Sequence, residues 1–161
     1  IDPTVIWIKQ TISNACGTMG LLHALCNTDV TLAPESPLEK FIIECQDKTP
    51  LERAHILETT PLFAQIHKAG ASTGQTAVPT DLDTDLHFTC FVQSPDAATR
   101  EHETETKTRR MIELDGTREG PIDRGESGDL LVDATKYIQD VYVAKATSMN
   151  FSMLALCPPE V

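Results

Sequence analysis

Cys16 occupies a point in the sequence where a thiol could act as a nucleophile. It opens an apolar pattern that marks one face of a helix, formed by Ala15, Met19, Leu22 and Cys26. Ser13 and Asn14 just before it are good cap residues for the free N–H groups of a helix start. Because those groups and the helix dipole favour negative charge, we expect the Cys16 thiol to ionise more readily than a free cysteine. The spacing is equally compatible with a buried helix that carries a core cysteine.

A thiol hydrolase also needs an imidazole, a group that orients it, and donors for the developing oxyanion. Of the five histidines, only His87 opens an apolar strand pattern directly after a long loop. His23 and His55 fall inside helical patterns and are interpreted as structural. A single strand histidine is more often structural than catalytic, and an isolated Asp115-Gly116 pair favours a simple turn.

The elements that would position these residues mix helices with a mainly antiparallel sheet. Predicted strands cover residues 4–8, 86–92, 109–114, 121–123 and 151–156. The apolar strand at 86–92 is expected to be central in the sheet. Predicted helices begin at Cys16, after Ser36, after Thr49 and after Asp129. Ser36-Pro37-Leu38-Glu39 and Thr49-Pro50-Leu51-Glu52 both spell a capping box with proline at the first helical position. These patterns predict an α+β or α/β-like fold with the sheet between helical layers.

Composition narrows the class of protein. A chain of 161 residues forms one domain, and no apolar run approaches the roughly 20 residues of a membrane helix. Five cysteines without C-x-x-C spacing predict free thiols, and therefore a cytoplasmic protein that could also enter the nucleus. The net charge of −11 disfavours nucleic acid and favours a basic partner.

Three motifs in the chain resemble those of one family, the ubiquitin C-terminal hydrolases, which are papain-like cysteine proteases. Gln10 and Cys16, within Lys-Gln-Thr-Ile-Ser-Asn-Ala-Cys-Gly-Thr, resemble its nucleophile motif, and the match runs on through Gly-Leu-Leu-His-Ala. Asp-Leu-His-Phe around His87 resembles its histidine motif. Glu-Leu-Asp-Gly around Asp115 resembles the segment with the histidine-orienting aspartate. The motifs follow each other in the order found in the family. They lie at a predicted helix start, on a predicted strand and directly after a predicted strand.

This resemblance implies a function and a set of roles. Cys16 would be the nucleophile, His87 the general acid and base, Asp115 the residue that orients His87, and Gln10 a donor to the oxyanion. The implied substrate is ubiquitin carrying a small adduct or short peptide on its C-terminal glycine. No cofactor, metal, nucleic acid or membrane is implied, and a monomer is expected. Residues 64–80 would form the family's crossover loop over the active site.

Two departures from the family pattern are expected to matter. Family members begin several tens of residues earlier, so residues 1–161 are expected to be a single catalytic domain that lacks its N-terminal part. The charged stretch 96–107 lengthens the hairpin between His87 and Asp115. Three alternatives remain open: a ubiquitin-binding fragment that does not cleave, a hydrolase acting on a ubiquitin-like modifier, and a different papain-like protease or acyltransferase.

Overall fold

A computed structural model describes residues 1–61, 86–95 and 109–157. The helices are α1 (Cys16–Cys26), α2 (Pro37–Cys45), α3 (Pro50–Thr59) and α4 (Leu130–Tyr137). The strands are β1 (Cys90–Pro95), β2 (Arg109–Leu114) and β3 (Ile122–Glu126). A π turn, Ile138–Tyr142, and a 3-10 turn, Val143–Lys145, continue α4. In these described ranges, no helix is long and apolar enough to cross a membrane.

The strands form an antiparallel sheet in the order β1-β2-β3. Cys90 pairs with Leu114 and Val92 with Ile112. In the described sheet β2 is the central strand, whereas residues 86–92 were predicted to be central. That prediction is wrong in two respects, since β1 starts only at Cys90 and lies at an edge. Leu86 and Phe88, which precede β1, are 60% and 54% exposed.

The two faces of the sheet are covered by different layers. On one face, Ala24 of α1 packs against a buried cluster made of Trp7, Cys90, Val92, Ile112 and Leu114. On the opposite face, α4 packs against β1 and β2, and Tyr142 from the π turn donates a hydrogen bond to Glu113. Because side chains alternate along a strand, Ile112 and Glu113 face opposite layers. The predicted α+β fold with a sheet between helical layers is confirmed.

Residues 4–8 were predicted to be a strand, and this is wrong. The segment is extended and buried, but side chains rather than a neighbouring strand satisfy its backbone. The Asn27 amide accepts from the Ile6 N–H at 2.7 Å and donates to the Ile6 carbonyl at 2.8 Å. His23 Nε2 accepts from the Ile8 N–H at 3.0 Å. Because Asn27 and His23 lie four residues apart, one side of α1 holds this segment in place of a ladder.

A second buried cluster joins this N-terminal segment to the first three helices. Its members are Ile6, Ile8, Met19, Leu22, Phe41, Cys45, Ala54 and Leu57.

The strand predicted at 151–156 is also wrong, because residues 146–157 have no regular secondary structure. Phe151 is 46% and Leu154 91% exposed. An alternating apolar pattern indicates extended backbone but does not supply the strand that must pair with it.

Local capping chemistry sets where α2 and α3 begin. Thr49 and Glu52 form the full capping box that was predicted, with bonds of 3.3 Å and 2.7 Å. Ser36 caps α2 as predicted by accepting from the Glu39 N–H at 3.2 Å. Glu39, however, accepts from the N–H of Glu35 instead of from the N–H of Ser36.

The predicted crossover loop, residues 64–80, and the charged stretch 96–107 lie outside the described residues.

Candidate active site

Cys16 is the first residue of α1, as predicted, and its side chain is partly exposed. The prediction that Ser13 and Asn14 cap this helix is wrong. Asn14 has a positive φ of 57°, and the N-cap position falls to Ala15, which makes no side-chain cap hydrogen bond. Ala15 has no side-chain acceptor of its own, so the N-cap side chain does not neutralise the partial positive charge of this helix start beside the thiol.

His87 and Asp115 are in direct contact. Nε2 of His87 lies 2.9 Å from Oδ1 of Asp115, with the His87 side chain 41% and the Asp115 side chain 6% exposed. Asp115 directly follows β2, and His87 lies three residues before β1. The antiparallel pairing of these strands, with Cys90 opposite Leu114, therefore brings the two residues together. With Nε2 turned to the carboxylate, Nδ1 is the ring nitrogen left to pair with a thiol.

The segment that carries His87 packs beside the start of α1. The Phe88 ring lies 3.6 Å from where a Cβ on Gly17 would sit, and Phe88 Cβ lies 3.9 Å from the equivalent point on Gly20. Gly17 and Gly20 therefore lie on the side of α1 that faces Phe88. The residues that follow Cys16 and His87 in the chain are thus in contact.

Gln10 is fixed in front of α1 by the turn after β2. Its backbone N–H donates to the Gly116 carbonyl at 2.8 Å. Its side-chain Nε2 donates to the Ile12 carbonyl at 3.0 Å, and its Oε1 is buried without a hydrogen-bond partner among the described residues. An amide NH₂ has two donors, so one N–H beyond the Ile12 bond is left for an oxyanion.

The Asp115 carboxylate is held by more groups than His87 alone. Oδ1 accepts from the Thr117 N–H at 2.9 Å and from the Thr117 hydroxyl at 2.8 Å, and Oδ2 accepts from Arg118 Nε at 3.2 Å. Burial raises the pKa of Asp115, but the Thr117 donors and His87 outweigh burial and lower it overall. The carboxylate is therefore kept ionised while it faces the imidazole.

The N-terminal segment also binds this turn. Trp7 Nε1 donates to the Asp115 carbonyl at 3.1 Å. Lys9 Nζ donates to the carbonyls of Thr117 and Arg118 at 3.2 Å and 2.7 Å. Sequence reasoning missed these contacts. The Asp-x-Thr spacing is a signal for an Asx turn that could have indicated Thr117, whereas nothing local indicates Trp7 or Lys9.

The remaining candidate side chains have structural surroundings. His23 is fully buried, and burial lowers its pKa to about 4. Interactions with the backbone of Ile8 and Leu114 and the negative charge of Asp115 raise the pKa, but burial outweighs them. Burial raises the pKa of Cys26 and Cys90 to about 12 and that of Cys45 to about 11. These three thiols stay protonated near neutral pH and are poor nucleophiles, which leaves Cys16 and the exposed Cys157.

A cysteine at a helix start, a histidine–carboxylate pair and a sheet between helical layers define the papain-like α+β class. The family model for ubiquitin carboxyl-terminal hydrolase, family 1, matches residues 1–142. The chain belongs to this family.

Curated relatives agree with this assignment. The chain is 37% identical to ubiquitin carboxyl-terminal hydrolase 3 of Arabidopsis thaliana, over 94% of this chain and 60% of that protein. It is 32% identical to isozyme L1 of Homo sapiens, over 98% of this chain and 66% of the relative. The chain thus spans 60–66% of the length of these curated relatives.

The fold is also similar to that of a solved structure. The Trichinella spiralis UCH37 catalytic domain, crystallised with ubiquitin vinyl methyl ester, aligns with a TM-score of 0.62 at 23% identity. The alignment covers 91% of this chain and 62% of that one. At this identity, the likeness concerns the fold.

Proposed function

We propose that this chain is a cysteine-type deubiquitinating hydrolase that removes small adducts or short peptides from the C-terminal glycine of ubiquitin. The observation that carries the proposal is the 2.9 Å contact between His87 and Asp115, beside the helix start at Cys16, in a chain of this family. The net charge of −11 supports a substrate with a basic tail. Free thiols support a reducing compartment, the cytoplasm or nucleus.

The proposed roles give a complete reaction. The Cys16 thiolate attacks the carbonyl carbon of the terminal glycine and forms a C–S bond, while the carbonyl electrons move to oxygen. The Gln10 amide and the Cys16 backbone N–H donate to this oxyanion. As the oxyanion collapses, the C–N bond breaks and the His87 imidazolium protonates the leaving amine.

Hydrolysis of the thioester completes the cycle. His87, now neutral, removes a proton from water, which attacks the thioester carbon and releases ubiquitin with a free carboxylate. Cys16 leaves as the thiolate and pairs again with protonated His87. Asp115 keeps the ring in the orientation that both steps require.

A covalent probe tests this proposal. The protein is mixed with ubiquitin carrying a C-terminal electrophile, and adduct mass is measured for the unchanged protein, Cys16→Ala and Cys157→Ala. Cys157 is the matched control, because it is an exposed thiol far along the chain from the site. We expect an adduct that only Cys16→Ala abolishes. An adduct that depends on Cys157, or none with the folded protein, contradicts the proposal. Ubiquitin binding without an adduct supports the non-cleaving alternative.

A further inference from the structure

The turn after β2 holds the Asp115 carboxylate on the same oxygen that faces His87. The Thr117 N–H and hydroxyl both donate to Oδ1, at 2.9 Å and 2.8 Å, and His87 Nε2 reaches that atom at 2.9 Å. The other oxygen, Oδ2, accepts from Arg118. Each oxygen of the carboxylate thus has its own partners from the turn.

The charged groups around Asp115 come from several elements. Arg118 bonds to Asp115, and its guanidinium lies 3.8 Å from the buried Glu113 of β2. His23 of α1 and His87 before β1 also face Asp115. In addition, Lys9 of the N-terminal segment holds the carbonyls of the turn. Among these groups, the Thr117 hydroxyl is a neutral donor placed directly on Oδ1.

We propose that Thr117 is a positioning residue, whose hydroxyl fixes the Asp115 carboxylate in the orientation that His87 requires and shares the charge of Oδ1. The inference rests on the roles proposed above for Cys16, His87 and Asp115. Rotation of a carboxylate about its last bond is only weakly restricted, so a carboxylate needs partners to stay in one orientation. A threonine suits this task because its branched side chain has a restricted χ1.

The sharing of charge on Oδ1 predicts in which direction the pH range of the thiolate–imidazolium pair shifts when the hydroxyl is removed. A hydrogen bond to a carboxylate oxygen lowers that oxygen's affinity for protons. When the Thr117 hydroxyl is removed, Oδ1 becomes a stronger acceptor, and Asp115 stabilises the positive charge on the facing ring more. The thiolate–imidazolium pair then survives to higher pH. At the same time the carboxylate is held less firmly, so turnover falls.

The test compares Thr117→Val, which removes the hydroxyl at nearly the same volume, with Thr117→Ser, which keeps it. Thr117 is exposed, so neither change should affect stability greatly, and thermal unfolding checks this. Alkylation of Cys16 by iodoacetate, an anion whose approach the positively charged imidazolium favours, is followed from pH 4 to 10 by peptide mass, which separates Cys16 from Cys157. We expect Thr117→Val to move the alkaline limb of the profile upward by roughly 0.5 to 1 pH unit. We expect Thr117→Ser to match the unchanged protein.

Turnover of a ubiquitin C-terminal amide supplies the second measurement. We expect Thr117→Val to lower kcat about 3- to 10-fold without changing KM, and Thr117→Ser to restore it. The inference is overturned if Thr117→Val leaves the profile and kcat unchanged, or if Thr117→Ser is equally impaired. A protein that does not process ubiquitin contradicts the proposed function, yet its alkylation profile still decides the role of Thr117.

Discussion

Nε2 of His87 lies 2.9 Å from Oδ1 of Asp115, and the two residues are brought together by the register of β1 and β2. The carboxylate is 6% exposed and the imidazole 41% exposed. A buried anion thus orients a ring whose other edge is open. This arrangement suits the general acid and base role proposed for His87, because it fixes the orientation of the ring without burying it.

Replacing Asp115 by asparagine should reduce turnover of a ubiquitin C-terminal amide about 100-fold. The amide cannot provide the negative charge that supports the imidazolium, although it has nearly the same shape. Asp123→Asn is the matched control, because Asp123 pairs with Arg110 on the partly exposed surface of β3. Equal losses of kcat in the two variants would contradict a special role for Asp115.

Gly116→Ala should disturb the site, although Gly116 has no side chain that could take part in the reaction. A Cβ at Gly116 would lie 2.8 Å from Gln10 Cβ and 3.1 Å from Gln10 N, so the turn or Gln10 must move. We expect the free energy of unfolding to fall by about 1–3 kcal/mol. We also expect kcat to fall, since Gln10 and Asp115 flank the contact.

Gly120→Ala is the control for this substitution. A Cβ at Gly120 would meet nothing within 4 Å, so the change should be nearly neutral. Urea unfolding and turnover are measured on both variants. If only Gly116→Ala loses stability and activity, the cause is its close packing against Gln10, and not the presence of alanine in this part of the chain. Gly116→Ala with unchanged stability and activity would show that the two segments adjust without cost.

The sequence allowed some local features of the fold to be predicted, because their causes lie within a few residues. Thr49 and Glu52 set the start of α3 by contacts three residues apart. The motifs around Cys16 and Asp115, in contrast, were assigned by their resemblance to the family, and the residues lie at the start of α1 and directly after β2. Short-range chemistry alone was a poor guide there, since the predicted Ser13 and Asn14 cap is not formed.

Features that depend on a distant partner could not be predicted. The apolar pattern of residues 4–8 indicated extended backbone, but only the fold shows that Asn27 and His23 take the place of a neighbouring strand. The close approach of Gly116 to Gln10 joins residues more than a hundred positions apart. No local sequence pattern predicts the contact between Gly116 and Gln10.

His23 should make the protein less stable in mild acid. Its Nε2 accepts from the Ile8 N–H, and protonation would turn this acceptor into a second donor. Burial lowers the pKa of His23 from 6.5 to about 4. Between these values the unfolded chain binds a proton that the folded chain excludes. Stability is therefore fully present above pH 6.5 and falls by about 3 kcal/mol as the pH drops towards 4.

Urea unfolding at pH 7, 5.5 and 4.5 measures this dependence. His23→Gln keeps an acceptor for Ile8 but cannot titrate, so we expect most of the slope in this window to vanish. His55→Gln, on the exposed side of α3, should keep the slope. If the slope is the same in the unchanged protein and His23→Gln, other groups cause the acid sensitivity.

Arg124 should matter far more for stability than Arg110, although both pair with a carboxylate in the sheet. Arg124 binds Glu113, which is 1% exposed and also accepts from Tyr142 at 2.5 Å and Thr89 at 3.1 Å. Arg110 binds Asp123, which is 33% exposed. Without Arg124, the buried Glu113 charge keeps only the more distant Arg118 guanidinium, at 3.8 Å, among the cations of the described residues. The Arg110–Asp123 pair is partly exposed, so solvent screens its charges and the pair contributes less.

We therefore expect Arg124→Met to lower the free energy of unfolding by about 3 kcal/mol and Arg110→Met by about 1 kcal/mol or less. Adding Glu113→Gln to Arg124→Met should recover part of the loss, because a neutral amide can still accept from Tyr142. Urea unfolding of these three variants measures the difference. Equal losses for both single variants, or no recovery in the double variant, would mean that the buried charge of Glu113 is not what makes Arg124 necessary.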